Sequence, residues 1–105
     1  MFVVRASGLS MEPMIHDGDL CLMRWNPQGS RNGMIVLAQH HETYDPETGG
    51  AYSIKKYSSE KVATGDGSWR HEKIVLHPLN PDYSDIEMKD GDQIIAAFVK
   101  VISRA

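Results

Sequence analysis

The chain has 105 residues, 41% of them hydrophobic and 24% charged, which supplies one modest core and too little for two, so a single domain over 1–105 is expected. With 11 Lys and Arg against 14 Asp and Glu, spread along the chain for a net charge of −3, there is no basic field for a phosphate backbone and no polybasic arm for a membrane surface. Direct nucleic-acid binding is therefore not expected of this chain, and the lack of any run of ~18 apolar residues removes a spanning helix.

Taken in order, the apolar segments are short, rich in β-branched and aromatic residues, and bounded by Gly, Asn, Asp and Pro, which predicts strands. The opening "MFVVRAS" is broken by Arg5 too soon for a secretory signal and instead begins a strand over Phe2–Ala6. "SGLSMEPM" follows, with one helical turn opening at Ser10 and limited by Pro13. Asp17-Gly18 then turns the chain into a second strand, Leu20–Trp25, and Asn32-Gly33 into a third, Met34–His40. "HHETYDPETGG", ending in Gly49-Gly50, reads as a hairpin tip reaching into solvent before a fourth strand, Ala51–Tyr57. "VATGDGSW" reads as a second tip, followed by strands at Lys73–Pro78 and, after Asp90-Gly91, at Ile94–Ile102. The expected fold is mainly β, a set of bent antiparallel sheets, partly barrel-like, with little helix. The one cysteine, Cys21, lies in the apolar run "DLCLM" without an intramolecular partner, which fits a buried thiol in a reducing compartment and hence a soluble, cytoplasmic protein.

Ser10 stands where an extended segment breaks into a turn, and at such a break backbone N–H groups are left to face an oxyanion. The plain alternative is a capping serine whose hydroxyl satisfies one of those N–H groups. A nucleophilic serine needs a base. Of the five histidines, His16 lies in a turn, His40 and His41 end a strand, His71 is in a loop and His77 precedes a proline, none with a recognisable triad partner. Lys55 and Lys56, in the middle of a predicted strand, are the other candidates. A free lysine titrates near ~10.4, and burial that lowers this by about three units, on the order of 4 kcal/mol, makes it a competent base near neutrality. Alternation puts Ser53, Lys55 and Tyr57 on one face and Tyr52, Ile54 and Lys56 on the other, without saying which face is buried. Edge protection by charge is the plain reading of either lysine.

"SGLSMEPMIHDGDL" together with "YSIKKY" resembles the S24/S26 serine peptidases, the group that holds the catalytic domains of LexA-type self-cleaving repressors and the bacterial signal peptidases. The likeness runs through Gly18–Met23, "RNGMIVLAQ" and the terminal "IIAAFVKVI". It implies Ser10 as nucleophile, Lys55 as general base with Lys56 outside the chemistry, and the N–H groups of Leu9 and Ser10 as oxyanion donors. The implied substrate cleft takes in Met11, Pro13, Met14 and Ser53, and no cofactor is needed. The Ala-Gly or Cys-Gly bond that such repressors cut is missing, as are a helix-turn-helix and a membrane segment. The chain is thus expected to be a peptidase module of a longer parent, acting on a peptide or protein substrate, the parent chain included, with cleavage within these residues not expected. The competing role is a catalytically silent dimerisation module of a repressor-like protein, paired through Ile94–Ile102. A membrane-associated processing enzyme is a further rival.

Other motifs have plainer explanations. Asp17, Asp19, Asp90 and Asp92 lack the further carboxylates of a calcium loop and are read as turn formers. His40 and His41 point to opposite faces of a strand with no third ligand suitably spaced, so no metal is predicted.

Overall fold

In the computed structural model of the chain, residues 1–25, 29, 31–63 and 69–105 are described, the side chains of 61–63 and 69–72 excepted. Among the described residues seven strands form: β1 (Phe2–Arg5), β2 (Leu20–Trp25), β3 (Ile35–Gln39), β4 (Tyr52–Ala63), β5 (Trp69–His77), β6 (Ile86–Glu87) and β7 (Gln93–Ser103). They make one sheet in the order β1-β2-β7-β3-β4-β5-β6, every pair antiparallel. Among the described residues there is no α-helix, so none is long and apolar enough to cross a membrane.

The mainly β class is as expected, and the sheet is open. β6 has only two residues, paired with Val75 and Leu76, too few to carry that edge round to β1. Register shifts between Leu20 and Cys21, Leu22 and Met23, and Leu37 and Ala38 mark bulges, which bend strands and sharpen their twist. β4 runs past Tyr57 to Ala63 against β5, and His71, expected in a loop, falls inside β5. The tip at 64–68 lies outside the described residues. As expected, no more than one helical turn forms after Ser10: Glu12 N–H donates to Leu9 O (3.2 Å) in a tight turn and Ile15 N–H to Met11 O (3.0 Å) in a single four-residue turn that is not continued; the Glu12–Pro13 peptide is cis.

β3 divides the core. Its consecutive residues point to opposite faces, so Leu37 packs with Met11, Ile15, Cys21, Met23 and Ala96, while Val36 and Ala38 pack with Tyr57, Leu76 and Ile86. Both faces of β3 are therefore covered. Each large side chain buried here, such as Met23 or Leu76, contributes roughly 1.5–3 kcal/mol relative to exposure. Cys21 is a free, fully buried thiol, pushed up by burial and then by the nearby Asp19 charge. β7 is hydrogen-bonded to β2 from Ala96 to Ser103 and to β3 from Gln93 to Ala97. Among the described residues, the β3-side edge of β7 beyond Ala97 therefore pairs with no strand, and Val99 and Ile102 on that stretch are exposed.

The segment from His40 to Gly50 departs most from expectation. It folds back over the sheet rather than projecting: Asp45 N–H donates to Gly50 O and Gly49 N–H to Asp45 O, both at 2.8 Å, and Asp45 is 2% exposed. The physical reason lies in β4, where two buried polar groups draw its carboxylate inward.

Candidate active site

Ser10 is held by its neighbours' backbone. Gly8, at φ +87°, makes a turn that other residues resist, and its N–H donates to Asp17 Oδ1 at 2.7 Å. Ser10 O accepts Asn80 N–H at 2.9 Å, and Asn80 Nδ2 donates to Leu9 O at 3.2 Å. Ser10 is 3% exposed. Among the described residues no backbone N–H donates to its hydroxyl, so Ser10 does not act as a cap here.

Lys55 comes from β4, opposite Val36, with Ser53 opposite Ala38. The alternation resolves here: Ser53, Lys55 and Tyr57 are buried, whereas Tyr52 and Lys56 are exposed. Lys55 Nζ donates to Asp45 Oδ2 at 3.1 Å, and both side chains are almost wholly buried. Ser53 Oγ donates to the same Oδ2 at 2.6 Å. Because the single Ser53 proton is given to Asp45, the 2.7 Å contact between Ser53 Oγ and His40 Nε2 requires His40 to donate from Nε2. His40 Nδ1 then faces Thr43 Oγ1 at 3.4 Å and Asp92 Oδ2 at 3.6 Å. Asp92 in turn accepts the N–H groups of His41 (2.8 Å) and Lys89 (3.0 Å). A buried polar chain thus runs Lys55–Asp45–Ser53–His40–Asp92.

Burial by itself pushes the Asp45 carboxyl up, but the Ser53 hydrogen bond, the Lys55 charge and the Glu47 N–H outweigh it and hold the group below the ordinary carboxylate range. Burial is likewise outweighed at Asp92, by the N–H groups of Lys89 and His41 and then by His40. Asp45 and Lys55 are accordingly an ion pair. Among the described residues, the ammonium's hydrogen bond goes to Asp45, and none joins it to Ser10.

A cavity of about 790 Å³ opens beside Ser10. Its apolar wall includes Phe2, Val4, Leu37 and Ile54, and Trp25, whose ring stacks on Phe2 at 3.9 Å between centroids. Ser10, Met11, Ser53 and Asp45 line it as well, so the face that carries Lys55 reaches the same space. Of the residues implied for a cleft, Met11 and Ser53 line this cavity and Pro13 and Met14 do not. The Leu9 N–H points to Glu47 Oε2 at 2.7 Å.

Sequence reasoning missed Asp45, His40, Glu47 and Asn80 as parts of this site. One signal pointed toward Asp45: a lysine buried in mid-strand needs a compensating charge. Nothing in the sequence says which carboxylate supplies it. The turn-forming aspartates do act on backbone, Asp17 on Gly8 and Asp92 on His41 and Lys89, and Asp19 accepts His16 N–H (2.8 Å), Ala105 N–H (3.2 Å) and Arg104 (2.7 Å). Among the described residues no three His, Cys, Asp or Glu side chains gather as a metal site.

Comparison with known proteins puts this geometry in a lineage. A curated relative, the LexA repressor of Idiomarina loihiensis, is 29% identical over 96 residues, covering 90% of this chain and 38% of its own length. The chain thus spans well under half of that relative. The family model described as Peptidase S24-like matches residues 1–102, nearly the whole chain, and on that match the protein belongs to the S24-like peptidase family.

Proposed function

We propose that this chain is the peptidase module of a serine–lysine endopeptidase that cuts a peptide bond in a parent or partner protein. The observation that carries the proposal is a cavity whose wall holds a buried serine at a turn and, with it, Asp45, whose carboxylate holds the buried mid-strand Lys55. Ser10 Oγ is the nucleophile and Lys55 Nζ, in its neutral form, the base. The proton of Ser10 passes to Lys55 as the Oγ–C bond forms, and the N–H groups of Leu9 and Ser10 hold the oxyanion. Lys55 then gives its proton to the departing amine as the C–N bond breaks. Water, deprotonated by the same lysine, attacks the acyl-enzyme and releases the carboxylate and Ser10.

Several features support this. The Leu9 N–H already attracts a carboxylate oxygen, as an oxyanion donor should. β1 is an outer strand of the sheet and lines the cavity, so an extended peptide can lie along it and take its register from ladder hydrogen bonds. Catalytic hydrogen bonds tighten when substrate arrives, and the proposal requires a Ser10–Lys55 bond to form at that stage. The likeness to a LexA repressor favours a repressor-like parent and a cytoplasmic setting. Ser10→Ala and Lys55→Ala should each abolish cleavage of the parent protein or a peptide substrate, with the fold retained by circular dichroism in the first and weakened by about 3–5 kcal/mol in the second, which strands Asp45, and Lys56→Ala should leave most of the activity. A protein that elutes as a dimer and never labels with a serine-directed fluorophosphonate would instead be the silent dimerisation module.

A further inference from the structure

One loop reaches both halves of the proposed machinery. Asp45 builds it: Oδ1 accepts the N–H groups of Glu47 (2.9 Å) and Thr48 (3.3 Å), an Asx-type turn helped by Pro46, while Oδ2 holds Ser53 and Lys55. The turn delivers the Glu47 carboxylate onto residues 8 and 9. Oε2 accepts the Leu9 N–H at 2.7 Å, and the carboxylate lies so close to Gly8 that any Cβ there would collide with it. The Tyr83 phenol is pushed up by burial and then by the charge of Glu47. Glu47 Oε1 is buried and has no partner among the described residues.

These placements are what a bound peptide would have to undo. A substrate carbonyl needs the Leu9 N–H, which Glu47 fills. The nucleophile needs a neutral lysine, and the Asp45 carboxylate stabilises the ammonium. We infer that the loop from His40 to Ala51 is a built-in competitive inhibitor, with the Glu47 carboxylate standing in the place of a substrate carbonyl oxygen or of a freshly cut peptide's terminal carboxylate. The inference rests on the peptidase function proposed above. The unpaired Oε1 makes the plug displaceable, because an opened loop gives that oxygen water in place of nothing.

The test uses the whole chain and a fluorophosphonate probe directed at Ser10. Glu47→Ala and Glu47→Gln should raise the labelling rate about tenfold, as expected when a mostly closed population is released. Ser10→Ala in either background should remove the label. Independently of labelling, Glu47→Gln should move the Leu9 amide proton upfield in NMR spectra as the charge-assisted bond is lost. Equal or slower labelling in both Glu47 variants overturns the inference and leaves the peptidase function standing, and so does a Leu9 resonance that stays put. A Ser10 that labels in no variant overturns the peptidase function itself, and the inference with it.

Discussion

Two of the buried aspartates, Asp19 and Asp45, face an arginine and a lysine, yet they are built for different ends. Asp19 is fully buried and accepts two backbone N–H groups and Arg104, but the arginine side chain is 55% exposed. Its partner keeps one side in water. Asp45 faces a lysine that is as buried as itself, and it spends its other oxygen on the turn that carries Glu47. Asp19 fastens the last residues to the turn after Ser10, a structural duty that any solvated cation can complete. Asp45 ties a loop to a buried amine, so the placement of the loop and the ion pair stand or fall together.

The comparison is broken most directly by removing each carboxylate. Asp45→Ala strands a buried ammonium, and the loss of one partner of such a pair costs about 3–5 kcal/mol; chemical denaturation should find it the more damaging change. Asp19→Ala should cost less, about 2 kcal/mol, since Arg104 can turn to solvent and the main loss is the two N–H bonds. Equal losses would erase the distinction. The smallest effect, and the sharpest, is in acid. Asp19, Asp45 and Asp92 are all held below the ordinary range. At Asp19 burial pushes upward and is outweighed by the N–H groups of His16 and Ala105 and by Arg104. The unfolded chain, with carboxyls near ~3.9, binds those protons first. Their contribution to stability is whole above that value and is lost as pH falls through the folded ones. Thermal melts from neutral pH downward should be flat at first and then drop, and Asp19→Asn and Asp45→Asn should each shallow the acid limb. A limb unchanged in both would count against the assignment.

How far the sequence could be read follows the range of the interactions. β2 was predicted residue for residue because alternation and flanking turns suffice for it. The face shared by Ser53, Lys55 and Tyr57 was legible for the same reason, since period two is local. Which face is buried depends on Val36 and Ala38 across the sheet and was not. β6 was invisible: two residues carry no pattern, and Ile86–Glu87 is a strand only because Val75 and Leu76 lie beside it. "SSEKVA" continues β4 through pairing with β5, against its polar composition. The loop at His40–Gly50 misled because polar residues usually mean solvent, and here they meet buried partners. Glu47 finds Leu9 across 38 positions, a distance over which composition says nothing.

The place of β7 in the sheet has a consequence for how the two sides of the site share their footing. In the ladder, β1 and β2, which flank Ser10, are joined to β3 and to β4, which bears Lys55, through β7. A change that loosens this one strand therefore acts on both sides at once, so the alignment of serine and lysine inherits the firmness of a strand that carries neither.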